Sequence, residues 1–295
     1  MMSKFKIIPL AAMGLLAAAC GKNEAVQEST ATCITIEASI GTLTRATTTG
    51  NTAVFDEGDE VTLYAWTGSS AAVPEERVVD GVVNTLGTDG TWTPAAQMLW
   101  ADMVTPHYFL GIYPARTVTD FTADPVTIDA ADQEGSDLLV ALQMKGLTAT
   151  QNPVSLTFNH AMAKLYVNMN FRNQWDETPA VTSCVATAAT TGTIDYMAQT
   201  VAAGEQSTIS IPSAATQTGY ALTYGGIMLP QTGFRTVTVT IDGQQYTYTH
   251  TEDIPLEAGK YTTLNLIVGR NKIELGSVSI SDWAEGTTIS GGQAM

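Results

Sequence analysis

Short runs in which apolar and polar residues alternate, separated by turn residues about every ten positions, leave this chain little choice but β structure. Ile34, Ile36, Ala38 and Ile40 alternate with Thr35, Glu37 and Ser39, which gives a strand with one apolar face. Val61, Leu63 and Ala65 repeat the pattern after the acidic turn Asp56-Glu57-Gly58-Asp59. Strands are expected at 77–84, 108–113 and 138–142, then a loop at 145–153. The pattern restarts at 154–158, 165–171, 181–187, 193–197, 207–211, 222–229, 261–268 and 278–281. The clearest hairpin is 236–249, where Asp242-Gly243 suits a type I′ turn. Pro94, Pro106, Pro114 and Pro125 fall in the gaps, because proline lacks the N–H a central strand needs. Only single helical turns are expected, at 130–134 and 160–164. The fold class is therefore all-β, two sandwiches in tandem with a junction near 145–153.

The first twenty residues are of another kind. Lys4 and Lys6 precede thirteen mostly apolar residues, 7–19, which end in Leu16-Ala17-Ala18-Ala19-Cys20. As a helix that run would span roughly 20 Å, short of the ~30 Å hydrocarbon core. A secretory signal fits better, with small residues before a cysteine whose thiol can take a lipid. The polar segment 21–32 then reads as a tether.

Charge narrows the partners. The formal net charge is −16. Without residues 1–45, which hold four basic and three acidic groups, it is −17. Such a surface repels phosphate backbones, so no nucleic-acid partner is expected. Cys33 and Cys184 are read as partly buried thiols, with a bridge between them left open, since two lone cysteines make no framework. His107, His160 and His250 have no zinc-type spacing, and no metal or cofactor is expected. The acidic stretch 120–137 lacks the ligand order of a calcium loop and reads as solvated. No nucleophile elbow, phosphate-cradling loop or thiol–histidine pattern is present, so no catalytic residues are assigned.

Several patterns in order resemble the fimbrillin family, the FimA- and Mfa-like lipoprotein pilins of Bacteroidales. They are the lipobox at Cys20, the strand of residues 34–40, Thr44-Arg45-Ala46 and Phe55-Asp56-Glu57-Gly58-Asp59. Leu99-Trp100 and His107-Tyr108-Phe109-Leu110-Gly111-Ile112-Tyr113-Pro114 follow, then Asp137-Leu138-Leu139-Val140-Ala141. Leu156-Thr157-Phe158-Asn159-His160-Ala161-Met162-Ala163-Lys164-Leu165 is the most specific match. Glu257-Ala258-Gly259-Lys260-Tyr261 and Ile280-Ser281-Asp282-Trp283 complete the series, while 172–235 match nothing.

The resemblance implies two transthyretin-like sandwiches and a protease-triggered assembly. Residues 1–19 would be the signal peptide, 20–45 a lipidated propeptide, 46–150 the first sandwich and 151–295 the second. The lipid on Cys20 would hold the precursor at the outer membrane. An arginine-specific protease would cut between Arg45 and Ala46, releasing the strand that carries Ile34, Ile36, Ala38 and Ile40. A C-terminal strand of another pilin subunit would fill the vacancy, with Ile273, Leu275, Val278, Ile280 and Ile289 as its candidate apolar side chains. The competing reading is a surface lipoprotein that binds or processes glycans, with Trp66, Trp92, Trp100, Trp175 and Trp283 as candidate platforms. Replacing Cys20 by alanine is expected to abolish incorporation of labelled palmitate and partition into detergent; a variant that stays fully acylated rules out the lipoprotein reading.

Overall fold

β-branched and threonine-rich runs pack well on a pleated surface, and the chain realises nearly all of them as strands. The computed structural model describes residues 32–41, 54–68, 77–175 and 177–282. In chain order come β1 (Ile36–Ile40), β2 (Glu60–Thr67), β3 (Arg77–Leu86), β4 (Trp92–Pro94) and β5 (His107–Tyr113). β6 (Asp124–Thr127), the one-turn helix α1 (Gln133–Ser136), β7 (Leu139–Leu147) and β8 (Val154–His160) follow. Seven of these strands form one sheet in the order β1-β8-β7-β5-β2-β3-β4. β2, expected to have one wet face, is buried on both. Val61, Leu63 and Ala65 enter one core, while Tyr64 and Trp66 enter the other. The segment after β5 covers that second face: the Phe121 ring lies edge-on to Tyr64 at 4.9 Å, and Val118 N–H donates to the Tyr64 hydroxyl at 2.9 Å.

The second half holds β9 (Ala163–Phe171), β10 (Val181–Ala189), β11 (Thr191–Asp195), β12 (Thr200–Ala203) and β13 (Gln206–Ser210). β14 (Leu222–Met228), β15 (Thr236–Ile241), β16 (Gln244–Thr249), β17 (Lys260–Val268) and β18 (Ile273–Asp282) complete it. Two four-stranded sheets, β13-β10-β15-β16 and β14-β9-β17-β18, supply Cys184, Ala186, Val237 and Val239 from one and Leu165, Val167, Leu264 and Leu266 from the other to a single core. The expected hairpin turn is present, with positive φ at both Asp242 (51°) and Gly243 (77°). Cys184 is a free, buried thiol, so no Cys33–Cys184 bridge forms, and burial pushes its thiol up to about 12.

A chain of side-chain hydrogen bonds stitches the β14-β9-β17-β18 sheet from edge to edge. Thr223 Oγ1 donates to Asn168 Oδ1 (2.7 Å), Asn168 Nδ2 donates to Asn265 Oδ1 (2.9 Å), and Asn265 Nδ2 donates to Ser277 Oγ (2.7 Å). Asn168, Thr223 and Asn265 are buried, and each finds its partner on the neighbouring strand, which is what makes their burial tolerable.

Three expectations need correction. Residues 145–147 continue β7 and 149–151 form a 3-10 turn, so the loop is shorter than the sequence suggested. Residues 160–164 pass directly from β8 to β9 with no helical turn, whereas the turn expected at 130–134 lies slightly later, as α1. The acidic stretch is not one solvated loop: it contains β6, which pairs with β11. The cause is Asp124, whose carboxylate is buried against Arg116 Nη2 (3.0 Å) and the Tyr196 hydroxyl (2.7 Å). Burial, then the hydrogen bond to Asp124, raises the Tyr196 phenol above its ordinary value. Tyr196→Phe keeps the ring but leaves a buried charge short of a donor, and a loss of about 2 kcal/mol is expected from urea unfolding. An unchanged midpoint would show that this contact contributes nothing to joining β6 to β11.

Candidate functional site

β1 belongs to its sheet through one neighbour. It pairs in parallel with β8, in a register from Ile36 opposite Val154 to Ile40 opposite Phe158. Ile34 and Ile36 are 1% and 6% exposed, whereas Ala38 and Ile40 are only half-buried against the same core. The alternation read from the sequence is therefore deep at the start of the strand and shallow at its end.

The segment leading into β1, residues 32–34, also meets the opposite margin of the sheet. Ile34 N–H donates to the Met98 carbonyl (2.8 Å), Trp100 N–H donates to the Thr32 carbonyl (3.1 Å), and Cys33 bridges Leu99. Residues 98–100 follow β4, the far edge strand, so the sheet curls until its margins meet across residues 32–34. Asn152 fastens the join: its Oδ1 accepts from Thr35 N–H (2.9 Å) and its Nδ2 donates to Thr35 Oγ1 (3.0 Å). Without β1, a seam would open between β8 and residues 98–100, floored by Met98, Trp100, Phe109, Leu156 and Phe158.

The motif residues gather at the two ends of this seat. At the Ile40 end, the Phe55 ring meets Trp92, Tyr113 and Phe158 edge-on at 5.2, 5.4 and 5.3 Å. The Tyr113 hydroxyl lies 3.2 Å from Asp59 Oδ1 and 3.1 Å from Glu134 Oε1, and burial followed by those two carboxylates raises its pKa. His160 Nδ1 sits 2.8 Å from Asp137 Oδ1. A cavity of about 380 Å³ opens there, lined by Ile40 and Tyr113 on one side and by Tyr166, Gly225 and Ile227 of the second half on the other. At the Ile34 end, the Trp100 ring stands edge-on to His107 (4.8 Å) and Phe109 (5.6 Å). Between the ends Gly111 is required by close approach, since a Cβ there would lie 2.7 Å from the Phe158 ring.

The C-terminal candidates lie elsewhere. Ile273, Leu275 and Val278 are carried by β18, at the outer edge of its sheet, and pack against the chain's own core. Ile280 on the same strand is exposed. Cys20, Arg45, Ala46, Ile289 and Trp283 lie outside the described residues. Trp66, Trp92 and Trp100 are buried, and Trp175 packs against Phe171 and Tyr246, so none of these four is an open platform. Among the described residues no group of side chains is arranged to hold a metal ion. The role of Asn152, and the contact of residues 98–100 with residues 32–34, escaped the sequence reading, because the partners lie far apart along the chain.

A family model described as fimbrillin-like matches residues 44–283. Among solved structures, a candidate cell adhesion protein of Bacteroides uniformis is 20% identical, with a TM-score of 0.64 over 85% of this chain and 98% of that one. Another, from Bacteroides ovatus, is 16% identical with a TM-score of 0.65, covering 86% of this chain and 99% of its own. A third, from Bacteroides fragilis, is 14% identical with a TM-score of 0.52, covering 87% and 100%. At such identities the likeness establishes the fold. No sequence among the curated proteins matches the chain.

Asn152→Ala removes both bonds to Thr35 while leaving β8 intact. Losing about 1.4 kcal/mol of strand anchoring corresponds to a tenfold change. Amide exchange of residues 35–40 is expected to quicken by about that factor, with exchange in β15 and β17 unchanged; equal protection of β1 in both proteins would remove Asn152 from the seat.

Proposed function

The chain belongs to the fimbrillin-like family, and on that premise we propose that it is a structural or adhesive subunit of a cell-surface fimbria, assembled by protease-triggered strand exchange. The observation that carries this reading is the position of β1. It is an edge strand in a seat bounded by β8 and by residues 98–100, and its end lies five residues before Arg45 in the sequence. A strand that touches its sheet along one ladder, and reaches the opposite margin only through the residues leading into it, can leave without unpicking the rest.

The energetics favour exchange over permanent vacancy. An empty seat exposes unpaired backbone groups beside an apolar floor, and any strand with alternating apolar residues restores both. Ile34 and Ile36 contribute most of the apolar gain, roughly 2 kcal/mol each when fully buried. Before cutting, β1 is tethered and its effective concentration at the seat is on the order of millimolar; afterwards a neighbour's strand competes on equal terms. The donor would come from the C-terminal segment that carries Ile273, Leu275, Val278, Ile280 and Ile289. β18 occupies a sheet edge, from which chain can be given up or extended without breaking two ladders. The partners are then other pilin subunits, an arginine-specific protease, and the outer membrane through the Cys20 lipid. The burial of three tryptophans weakens the glycan-binding alternative.

Arg45→Ala is expected to leave a folded, lipidated monomer. Wild-type protein cut by an arginine-specific protease should acquire Ala46 as its N-terminus and form ladders that survive detergent without boiling. Protein that reaches the cell surface with Arg45 uncut, forms no ladder and binds a glycan would replace this reading with the alternative.

A further inference from the structure

The two ends of the β1 seat are unlike. At the Ile40 end the seat runs into the chain's own second half, since Ile40 shares a cavity wall with Tyr166, Gly225 and Ile227. At the Thr32 end the described hydrogen bonds and bridge come from the first half, from residues 97–103 and Asn152. Here the loop 101–106 projects two apolar side chains: Met103 is 46% exposed and Val104 is 77% exposed. The Met103 sulfur lies 3.4 Å from Thr32 Oγ1, so this tip stands at the mouth of the seat.

The tip is held stiff. The Thr105 hydroxyl donates to Asp102 Oδ2 (2.5 Å), and Asp102 Oδ1 accepts from the N–H groups of Thr105 (2.6 Å) and Val104 (2.8 Å); these bonds, the hydroxyl's foremost, hold its carboxyl at about 2. Buried His107 pins both shoulders of the loop: its Nε2 accepts from Ala101 N–H (3.0 Å), which leaves Nδ1 to donate to the Thr105 carbonyl (2.8 Å). Two exposed apolar side chains on a clamped loop have little ordering to lose on contact, which is the condition for an efficient docking point.

We propose that Met103 and Val104 form the seat of the neighbouring copy of this chain in the fibre, and that the donor strand therefore enters from the Thr32 end. The inference rests on strand exchange as proposed above. A donor entering from the Ile40 end would bring its body against the second half of the molecule it joins, whereas one entering at Thr32 arrives at an open pole and runs in the same direction as β1. Its body then covers the 103–104 tip.

Thiol labelling tests this directly. Cutting at Arg45 discards Cys20 and Cys33, and buried Cys184 is poorly reactive, so an introduced cysteine reports alone in the mature chain. Val104→Cys, labelled with a maleimide and read by mass spectrometry, should react freely in the uncut monomer and at least tenfold more slowly in the polymer. Val54→Cys, exposed at the Ile40 end, should react equally in both. The double variant Met103→Ser/Val104→Ser should form ladders several-fold more slowly with the precursor's melting temperature unchanged. Ladders in which Val104→Cys stays reactive, or Val54→Cys becomes protected instead, overturn the proposal and leave strand exchange standing. Failure of the cut wild type to form ladders removes strand exchange itself, and this inference with it.

Discussion

The first half of the molecule depends on the join across residues 32–34. A seven-stranded sheet with two free margins would expose a row of unpaired backbone groups on each, the usual liability of edge strands. Here one short stretch of chain meets both: β1 lies along β8, and residues 32–34 before it reach residues 98–100. The apolar floor beneath it is dry only while the seat is filled. Occupancy of that seat therefore decides whether the first core is closed, and its occupant β1 is held by alternating apolar side chains, a backbone ladder and the bonds between Asn152 and Thr35.

The two halves are tied by interactions that do not involve β1. Asp124 joins β6 to β11 through Arg116 and Tyr196, and the His160–Asp137 contact lies at the passage from β8 into β9. The amide and hydroxyl chain from Thr223 to Ser277 gives the β14-β9-β17-β18 sheet its own lateral reinforcement. Stability is accordingly distributed unevenly: the second half shares a core with the inner face of the first, while the outer margin of the first can be opened.

The all-β class was legible because alternation of period two and turn residues are local signals, and the Asp242-Gly243 hairpin followed from two residues alone. β6 was illegible for the opposite reason: a strand centred on Asp124 is paid for by an arginine and a tyrosine outside its own run. β2 misled in a milder way, since Thr62 between apolar residues looks like a wet position until the segment after β5 covers it. At the seat, Ile34 and Ile36 were read correctly as inward, while the greater exposure of Ala38 and Ile40 depends on where β8 and Phe55 lie. Asn152, 117 residues from Thr35, carries no local mark of its role. The family resemblance rested on scattered motifs, and the fold supplies their logic: Phe55, Tyr113, Phe158 and His160 meet at one end of the seat, Trp100 and His107 at the other.

The parallel alignment of β1 with β8 has a mechanical side. Hydrogen bonds in such a ladder lie across the strand, so tension applied along the strand axis strains all of them together in shear, rather than peeling them one at a time. Detachment by pulling then requires a concerted rupture with a high barrier, and resistance to force is set by that barrier more than by the equilibrium stability of the contact. A strand in this seat could be slow to tear out under flow and yet, while slack, be replaced from one end by a competitor. Resistance to drag and readiness for exchange are compatible because they load the same bonds from different directions.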